Sequence, residues 1–346
     1  MPKILYGISP IGLGHATRSL VIMEELTRRG AAVKAFSGGN AAEFLRSAGV
    51  AVDDVVDDAV PRVRGLEMSH VTQWYVRSWL AQRRNVGRAA RLIDGFRPDL
   101  VVCDEEFGGM AAAGRAGLRR VFIADELDLG FARGWLASRV EGRVARWYAN
   151  LLDTADLVLV PEPGPDSGNR RRVGAIVRRP TRSPAAARAA HGVPTGRVVL
   201  LSMSGSGIGR ELGEKLLASL DREGLGDVTV VVSGNRGERF AGPRVLDLGV
   251  VADNQDLVAC ADLVVSTAGK STIDEAAASG TPIIAIPIRH HAEQERNAAE
   301  LGYRWDDMAR LGELVSAKIG KRQTPAQFDG ETRAAALILS LSGPRS

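Results

Sequence analysis

Gly269-Lys270-Ser271-Thr272 are the letters that close a nucleotide-triphosphate phosphate loop, and they follow the apolar run "DLVVS". Such a loop needs an earlier glycine, so that successive backbone N–H groups can curl around the phosphates. The position that should hold it is Val264, inside the apolar run, and a buried strand cannot also be the loop. What remains is a strand, a small-residue turn and a helix opening near Lys270. A helix N-terminus offers unpaired N–H groups and about half a positive charge to an anion. The same letters also suit an ordinary strand–turn–helix with a hydroxyl cap.

Two more glycine-rich turns follow apolar runs: Gly12-Leu13-Gly14-His15 and Ser204-Gly205-Ser206-Gly207. The two turns of the second half suggest a diphosphate held between two helix N-termini, with Ser206, Ser271 and Thr272 adding hydroxyl donors. No aspartate-rich metal cluster accompanies them, so positive charge is expected from helix ends and from Lys270 or Arg178. Glu275 lies one helical turn beyond Ser271, on the same side, where a carboxylate can accept both hydroxyls of a ribose. Glu293 and Gln294 would open a later helix, with an acceptor and an amide suited to sugar hydroxyls, or as a first-turn dipole partner and a solvated residue. His290 and His291 point apart on a helix and lack a third ligand, so no metal site is expected.

In the first half, His15 begins a helix at the glycine-rich turn. An imidazole with an ordinary pKa near ~6.5 can take a proton from an attacking hydroxyl. It could equally pack the turn or bind an acceptor phosphate. Asp104, Glu105 and Glu126 end strands of the same half and are further candidates for the base. Gly12, Gly14 and Glu105 would line the acceptor side.

These residues need strands that end together and helices that begin there. The chain supplies them by alternating apolar runs with amphipathic stretches, which predicts α/β architecture with parallel sheets. "KILYGIS" (3–9) reads as a strand and 14–30 as a helix closed by glycine; "DLVVCD" (99–104) is a strand and 135–153 a long helix. After 196 the design of strand, glycine-rich loop and helix starts again. The expected division is an acceptor-binding Rossmann-like domain at 1–162 and a Gly/Pro/Arg-rich linker at 163–195. A donor-binding Rossmann-like domain would occupy 196–325, and a terminal helix at 326–346 is expected to cross back to the first domain. Two such domains would face each other across a cleft, where ligands of open α/β sheets bind.

Composition narrows the class without fixing the chemistry. The chain has 346 residues, 45% apolar and 25% charged, as soluble globular proteins do. No apolar run reaches the about 20 residues that span a bilayer. Only Cys103 and Cys260 are present, both in apolar segments, so neither a disulfide framework nor a cysteine zinc site is supported. With a start that runs directly into a strand, a cytoplasmic location is the expectation. Eight arginines stand between Arg62 and Arg97 against two acids, interleaved with Trp74, Tyr75 and Trp79. A second patch, 133–148, holds four arginines and two tryptophans. Such a face suits anionic lipid at the inner side of a membrane. It also suits phosphodiesters, although nucleic acid is the less expected partner, and a solvated face over core tryptophans would read the same.

Taken together, the motifs resemble the GT-B glycosyltransferases, nearest in pattern to the family 28, MurG-type enzymes. The matching pieces are "GLGHATRSL", "SGSG", "STAGKSTIDEAAASGTPIIAIPI" and "EQERNA", in order along both halves. The resemblance implies a GT-B fold and transfer of a sugar from a UDP-sugar, a UDP-N-acetylhexosamine or UDP-hexose. It implies an inverting, metal-independent displacement with no resident cofactor; if the arginine face meets a membrane, the acceptor would be carried by polyprenyl phosphate or another lipid. It places the donor pyrophosphate on Ser206-Gly207 and Gly269–Thr272, the ribose on Glu275, and the donor sugar on Glu293 and Gln294. The backbone at Val251 would read the uracil edge, and Arg178 falls near a phosphate-proximal arginine. Lys270 stands where the family has a small or apolar residue, which leaves its contact with the phosphates open. "GxGHxxRsL" is also similar to the UDP-sugar hydrolase of the pseudaminic acid pathway. A 2-epimerase of UDP-N-acetylglucosamine and a non-catalytic nucleotide-sugar binder are the remaining alternatives.

Overall fold

Unbroken apolar runs such as "KILYGI" and "LVVCD" are what strands buried on both faces require, and both form the middle of a parallel sheet. The computed structural model describes all residues except 12, 58–61, 65–66, 70, 126–134, 204–209 and 344–346. For 62–64, 67–69, 71–76, 78–79, 135–138, 140–141 and 144 it describes the backbone alone.

In chain order the first strands are β1 (Lys3–Ile8), β2 (Ala32–Ser37), β3 (Val52–Asp54), β4 (Arg62–Arg64) and β5 (Glu67–Ser69). Then come β6 (Leu100–Asp104), β7 (Arg119–Ile123), β8 (Leu157–Val160) and β9 (Arg170–Arg172). Seven of them form one sheet in the order β3-β2-β1-β6-β7-β8-β9, while β4 and β5 pair separately. The register sets Ile8 beside Asp104 and Asp104 beside Ile123, so three adjacent strands end level. The order reverses between β1 and β6. That is the switch point where the carboxyl ends of an open sheet leave a crevice.

The second sheet contains β10 (Val198–Ser202), β11 (Thr229–Ser233), β12 (Val245–Gly249), β13 (Leu263–Ser266) and β14 (Ile283–Ala285). Its order is β12-β11-β10-β13-β14, again parallel, with Ser202 beside Ser266 at the switch point. Each sheet has its own core. Leu5, Val101, Phe122 and Met110 pack in the first, and Leu201, Val232, Val265 and Leu216 in the second.

The chain divides into two compact units, Met1–Arg62 with His70–Val177 and Phe328–Ser346, and Val63–Ser69 with Arg178–Gln327. The segment 163–195, read from composition as a linker, holds two regular elements, Arg170–Arg172 and Pro184–Ala190. Arg170–Arg172 is the edge strand of the first sheet, where charged side chains are tolerated and discourage further pairing. Pro184–Ala190 is a helix with Ser183 as its cap, and the units change between Val177 and Arg178. The helix Gly330–Ser340 belongs to the first unit. Gly330 is seated so tightly that a Cβ there would stand 2.4 Å from the Ala175 carbonyl oxygen. No described helix is long and apolar enough to cross a membrane.

Candidate functional site

Helix Gly14–Arg28 starts directly after the turn that follows β1, so its first residues lie over the ends of β1 and β6. His15 and Arg18 are three apart and share a face of that helix. Asp104, at the end of β6, is fully buried. It receives His15 Nδ1 at 2.9 Å, Arg18 Nε at 2.8 Å, Arg18 Nη2 at 2.5 Å and Ser19 Oγ at 2.8 Å. Arg18 also pairs with Asp125 through Nη1. Burial opposes the charge on Asp104, but Arg18 and His15 outweigh it and hold the carboxyl far below the usual range. The carboxylate is therefore ionised; Arg18 Nη2 also stands 2.9 Å from His15 Nδ1, and the tautomer that carries its proton on Nδ1 donates to Asp104 and leaves Nε2 as the outward nitrogen.

Glu105 Oε2 faces that nitrogen at 3.6 Å. Glu105 is a non-glycine residue at φ 46°, a conformation that costs about 1–3 kcal/mol and concentrates at functional sites. Burial, with Asp125 beside it, lifts its carboxyl to about 7 against the pull of His15. Burial and Arg18 push the His15 imidazole down, but Asp104 and Glu105 together raise it to about 9. His15 thus lies between Asp104 and Glu105, and both carboxyl groups favour its protonated form. Asp104 is enclosed by its partners, and its contact with Nδ1 fixes how the His15 ring is turned.

The second cluster sits at the other switch point. Helix Lys270–Ser279 opens after Gly269, where the sequence places it, and the first turn of a helix has no internal acceptors for its N–H groups. Ala268, at φ 59°, turns the chain from β13 into this helix, and its carbonyl is held by Asn297 Nδ2 at 3.1 Å. Thr272 Oγ1 lies 3.4 Å from Ser202 Oγ at the end of β10. Lys270 pairs with Asp274 one turn further along its own helix. Glu275 is buried, and Arg178 reaches its Oε1 from both Nε and Nη2 at 2.8 Å. Burial raises the Glu275 carboxyl despite Arg178 and a hydrogen bond from Asn254.

Val251 is half-buried against the core under β10. Gln294 is buried, its Oε1 accepting the Ile288 N–H at 3.0 Å, and Glu293 beside it is half-exposed. His291 caps this helix through Nδ1, while His290 stands at φ 66°. Among the described residues no group of three or more His, Cys, Asp and Glu is placed to hold a metal ion. Gly12, Glu126, Gly205, Ser206 and Gly207 lie outside the described residues, as do the side chains of Trp74, Tyr75 and Trp79. Of the arginines in the basic stretch, Arg84 and Arg88 pair with Asp57, and Arg77, Arg84 and Arg91 are exposed.

Two sequence families match the chain. Glycosyl transferase family 1 matches residues 2–126, and the glycosyltransferase family 28 C-terminal domain matches 241–309. An uncharacterized glycosyltransferase of Methanosarcina acetivorans is 26% identical over 87% of this chain and 84% of its own. A UDP-N-acetylglucosamine--N-acetylmuramyl-(pentapeptide) pyrophosphoryl-undecaprenol N-acetylglucosamine transferase of Clavibacter michiganensis is 31% identical over 59% of this chain and 55% of its own. The solved MurG of Acinetobacter baumannii superposes with a TM-score of 0.58 at 14% identity, covering 98% of this chain and 100% of that one. The chain is a GT-B glycosyltransferase that resembles the family 28, MurG type.

Within this glycosyltransferase the family 28 match covers Val251, Gly269–Thr272, Glu275, Glu293 and Gln294, while Arg178 falls before it. The structure gathers His15, Asp104 and Glu105 at one switch point and Gly269–Thr272 with Glu275 and Arg178 at the other. It does not leave Arg178 as an open cation. Sequence reasoning missed Arg18, Ser19 and Asp125 in the first cluster and Ala252 and Asn254 in the second. Arg18 was findable, because an arginine three residues after His15 must share its helix face. The glycosyltransferase's Ala252 contact was not, because a carbonyl carries no letter.

Proposed function

We propose that the protein moves a sugar from a UDP-sugar, a UDP-N-acetylhexosamine or UDP-hexose, to a hydroxyl or phosphate of a lipid-linked acceptor. The family 28 match and the relative named for UDP-N-acetylglucosamine transfer support the donor class. The exposed part of the arginine face supports an acceptor at an anionic membrane surface, on which the protein would sit peripherally. Gly269–Thr272 would hold the diphosphate by backbone N–H groups and the helix dipole, stabilising UDP as it leaves. Glu275 would take the ribose, and Glu293 with Gln294 the sugar. The reaction is inverting: the acceptor oxygen forms its bond to the anomeric carbon as the bond to UDP breaks.

One observation carries the mechanism: His15 Nδ1 sits on the buried Asp104, leaving Nε2 to face the acceptor. An acceptor hydroxyl at Nε2 takes the place of Glu105. Separating the imidazole from that carboxylate removes one of the two charges that hold its proton, so its pKa falls toward neutrality and it can accept the hydroxyl proton. Asp104 stabilises the imidazolium that results.

The test is UDP release from a panel of UDP-sugars, with and without polyprenyl phosphate or a membrane lipid extract, with ATP as control. Release that requires lipid and survives EDTA is the expected result, and mass analysis of the lipid identifies the product. Equal release without any acceptor would make the protein a hydrolase. ATP turnover in place of UDP-sugar turnover would overturn the donor assignment.

A further inference from the structure

The arginine that the motif resemblance would set near the diphosphate is occupied otherwise. Arg178 is nine-tenths buried, with Nε and Nη2 on Glu275 Oε1 and Nη1 donating to the Ala252 carbonyl at 2.6 Å. Those two partners come from different elements. Glu275 belongs to the helix after β13, and Ala252 to the loop after β12, next to Val251. Two of the four residues that follow Arg178 fasten the end of that loop and the helix Asn254–Cys260 behind it. Thr181 reaches Asp256 through its N–H at 2.6 Å and its Oγ1 at 2.8 Å, and Arg182 pairs with both Asp253 and Asp256. His191 Nε2 closes on Asp253 at 3.2 Å.

We infer that Arg178 is a positioning residue for the nucleoside end of the donor, fixing the Glu275 carboxylate and the Ala252 loop at one spacing. The inference rests on the reading that Glu275 meets the ribose and the Val251 backbone meets the base. A planar guanidinium can bridge a carboxylate and a carbonyl at once, which a lysine ammonium cannot do in the same geometry. To reach a phosphate instead, Arg178 would have to leave a buried carboxylate without its cation. Holding both subsites in place before the ligand arrives removes the ordering cost from binding, so the effect falls on nucleoside affinity and not on the chemical step.

The test compares uridine with UDP. Dissociation constants for each are measured by calorimetry or NMR competition for the wild type, Arg178→Lys and Thr181→Val, with melting temperatures and steady-state constants alongside. In Arg178→Lys, both ligands are expected to weaken by one common factor of about tenfold or more, the equivalent of a lost charge-assisted hydrogen bond. KM for the UDP-sugar should rise in step while kcat stays within about threefold. Thr181→Val, which leaves the Arg178–Glu275 pair intact, should weaken both ligands together by a smaller factor. Loss of UDP affinity with uridine unaffected would make Arg178 a phosphate ligand and overturn the inference. So would folded variants that bind both ligands as the wild type does. A wild type that binds neither ligand would bring down the UDP-sugar reading itself, and the inference with it.

Discussion

Asp104→Asn isolates the group on which the first cluster depends. The carboxylate accepts four hydrogen bonds, from His15 Nδ1, Arg18 Nε, Arg18 Nη2 and Ser19 Oγ. An asparagine brings one accepting oxygen and one donating NH2. With the oxygen at the Oδ1 position, the NH2 opposes Arg18 Nε–H. With the amide turned over, the NH2 opposes His15 Nδ1 and favours the tautomer protonated on Nε2, which cannot accept a proton from the acceptor. In either case the buried Arg18 loses a charge partner. Removing one member of a buried pair costs about 3–5 kcal/mol, and Asp125 remains to hold Arg18, so the lower end of about 3 kcal/mol applies. For a unit of roughly 190 residues this lowers the melting temperature by about 6–12 °C.

The catalytic loss should be larger in proportion. Amide replacement of a buried aspartate that orients a catalytic histidine lowers kcat about 10^4-fold. The assay is UDP release with the acceptor that supports turnover, at saturating donor, with UDP affinity measured in parallel. Because the donor cluster belongs to the other unit, UDP binding should match the wild type. A folded Asp104→Asn protein whose kcat stays within about tenfold of the wild type would refute the orienting role and the assignment of His15 as base.

The remaining expectations are smaller. The raised His15 pKa predicts a pH–rate limb for kcat/KM of the acceptor near about 9, rising with pH. Glu105→Gln should move that limb to lower pH, and an unmoved limb would dismiss the Glu105 contact. For stability the signs agree. His15, Glu105 and Glu106 all have native pKa values above their ordinary ones, at about 9, 7 and 7. Their contribution is present in full below about pH 4.5 for the glutamates and 6.5 for the histidine, and is lost as pH rises through the native values. Thermal melts should therefore show stability declining from pH 5 to 9, less steeply in Glu105→Gln. Lys270→Ala removes a half-exposed pair with Asp274 worth at most about 1 kcal/mol, so donor KM should change by no more than about fivefold. A larger rise would place the ammonium on the phosphates. Gly330→Ala forces a Cβ against the Ala175 carbonyl and should cost about 1–3 kcal/mol of stability, and an unchanged denaturation midpoint would contradict the tight seat.

Much of the fold was legible because parallel strands buried on both faces must read as apolar runs, and crossover helices as amphipathic ones. The helix beginning at Lys270 and the long one at Trp135–Asp153 fall where periodicity sets them. The segment 163–195 was obscured by composition. "RRR" is a poor strand by propensity, yet at a sheet edge it needs only backbone pairing on one side. "SPAAARAA" carried a helix signature, a serine cap followed by proline at the first position, which the surrounding Gly and Pro outweighed.

The two clusters differ in how far letters alone could reveal them. The proposed donor site would work through backbone N–H groups at helix starts, and glycine-rich turns after strands announce such groups directly. Ala268 and His290, both at positive φ without being glycine, show that the same turns are held in place by their surroundings and not by residue type. The first cluster is built from charged side chains, and what burial does to their charges carries no letter. His15, Arg18, Asp104, Glu105 and Asp125 are five ionisable side chains from three stretches of sequence, brought together because β1, β6 and β7 end level beside one helix. In water each would titrate near its ordinary value. Enclosed together, with Asp104 kept ionised by Arg18, they raise the pKa of one imidazole, and on the proposed mechanism its basicity would depend on whether Glu105 or an acceptor stands at Nε2. The sequence could nominate His15 for this role, but only the register of three strands could select Asp104 as the residue that holds it.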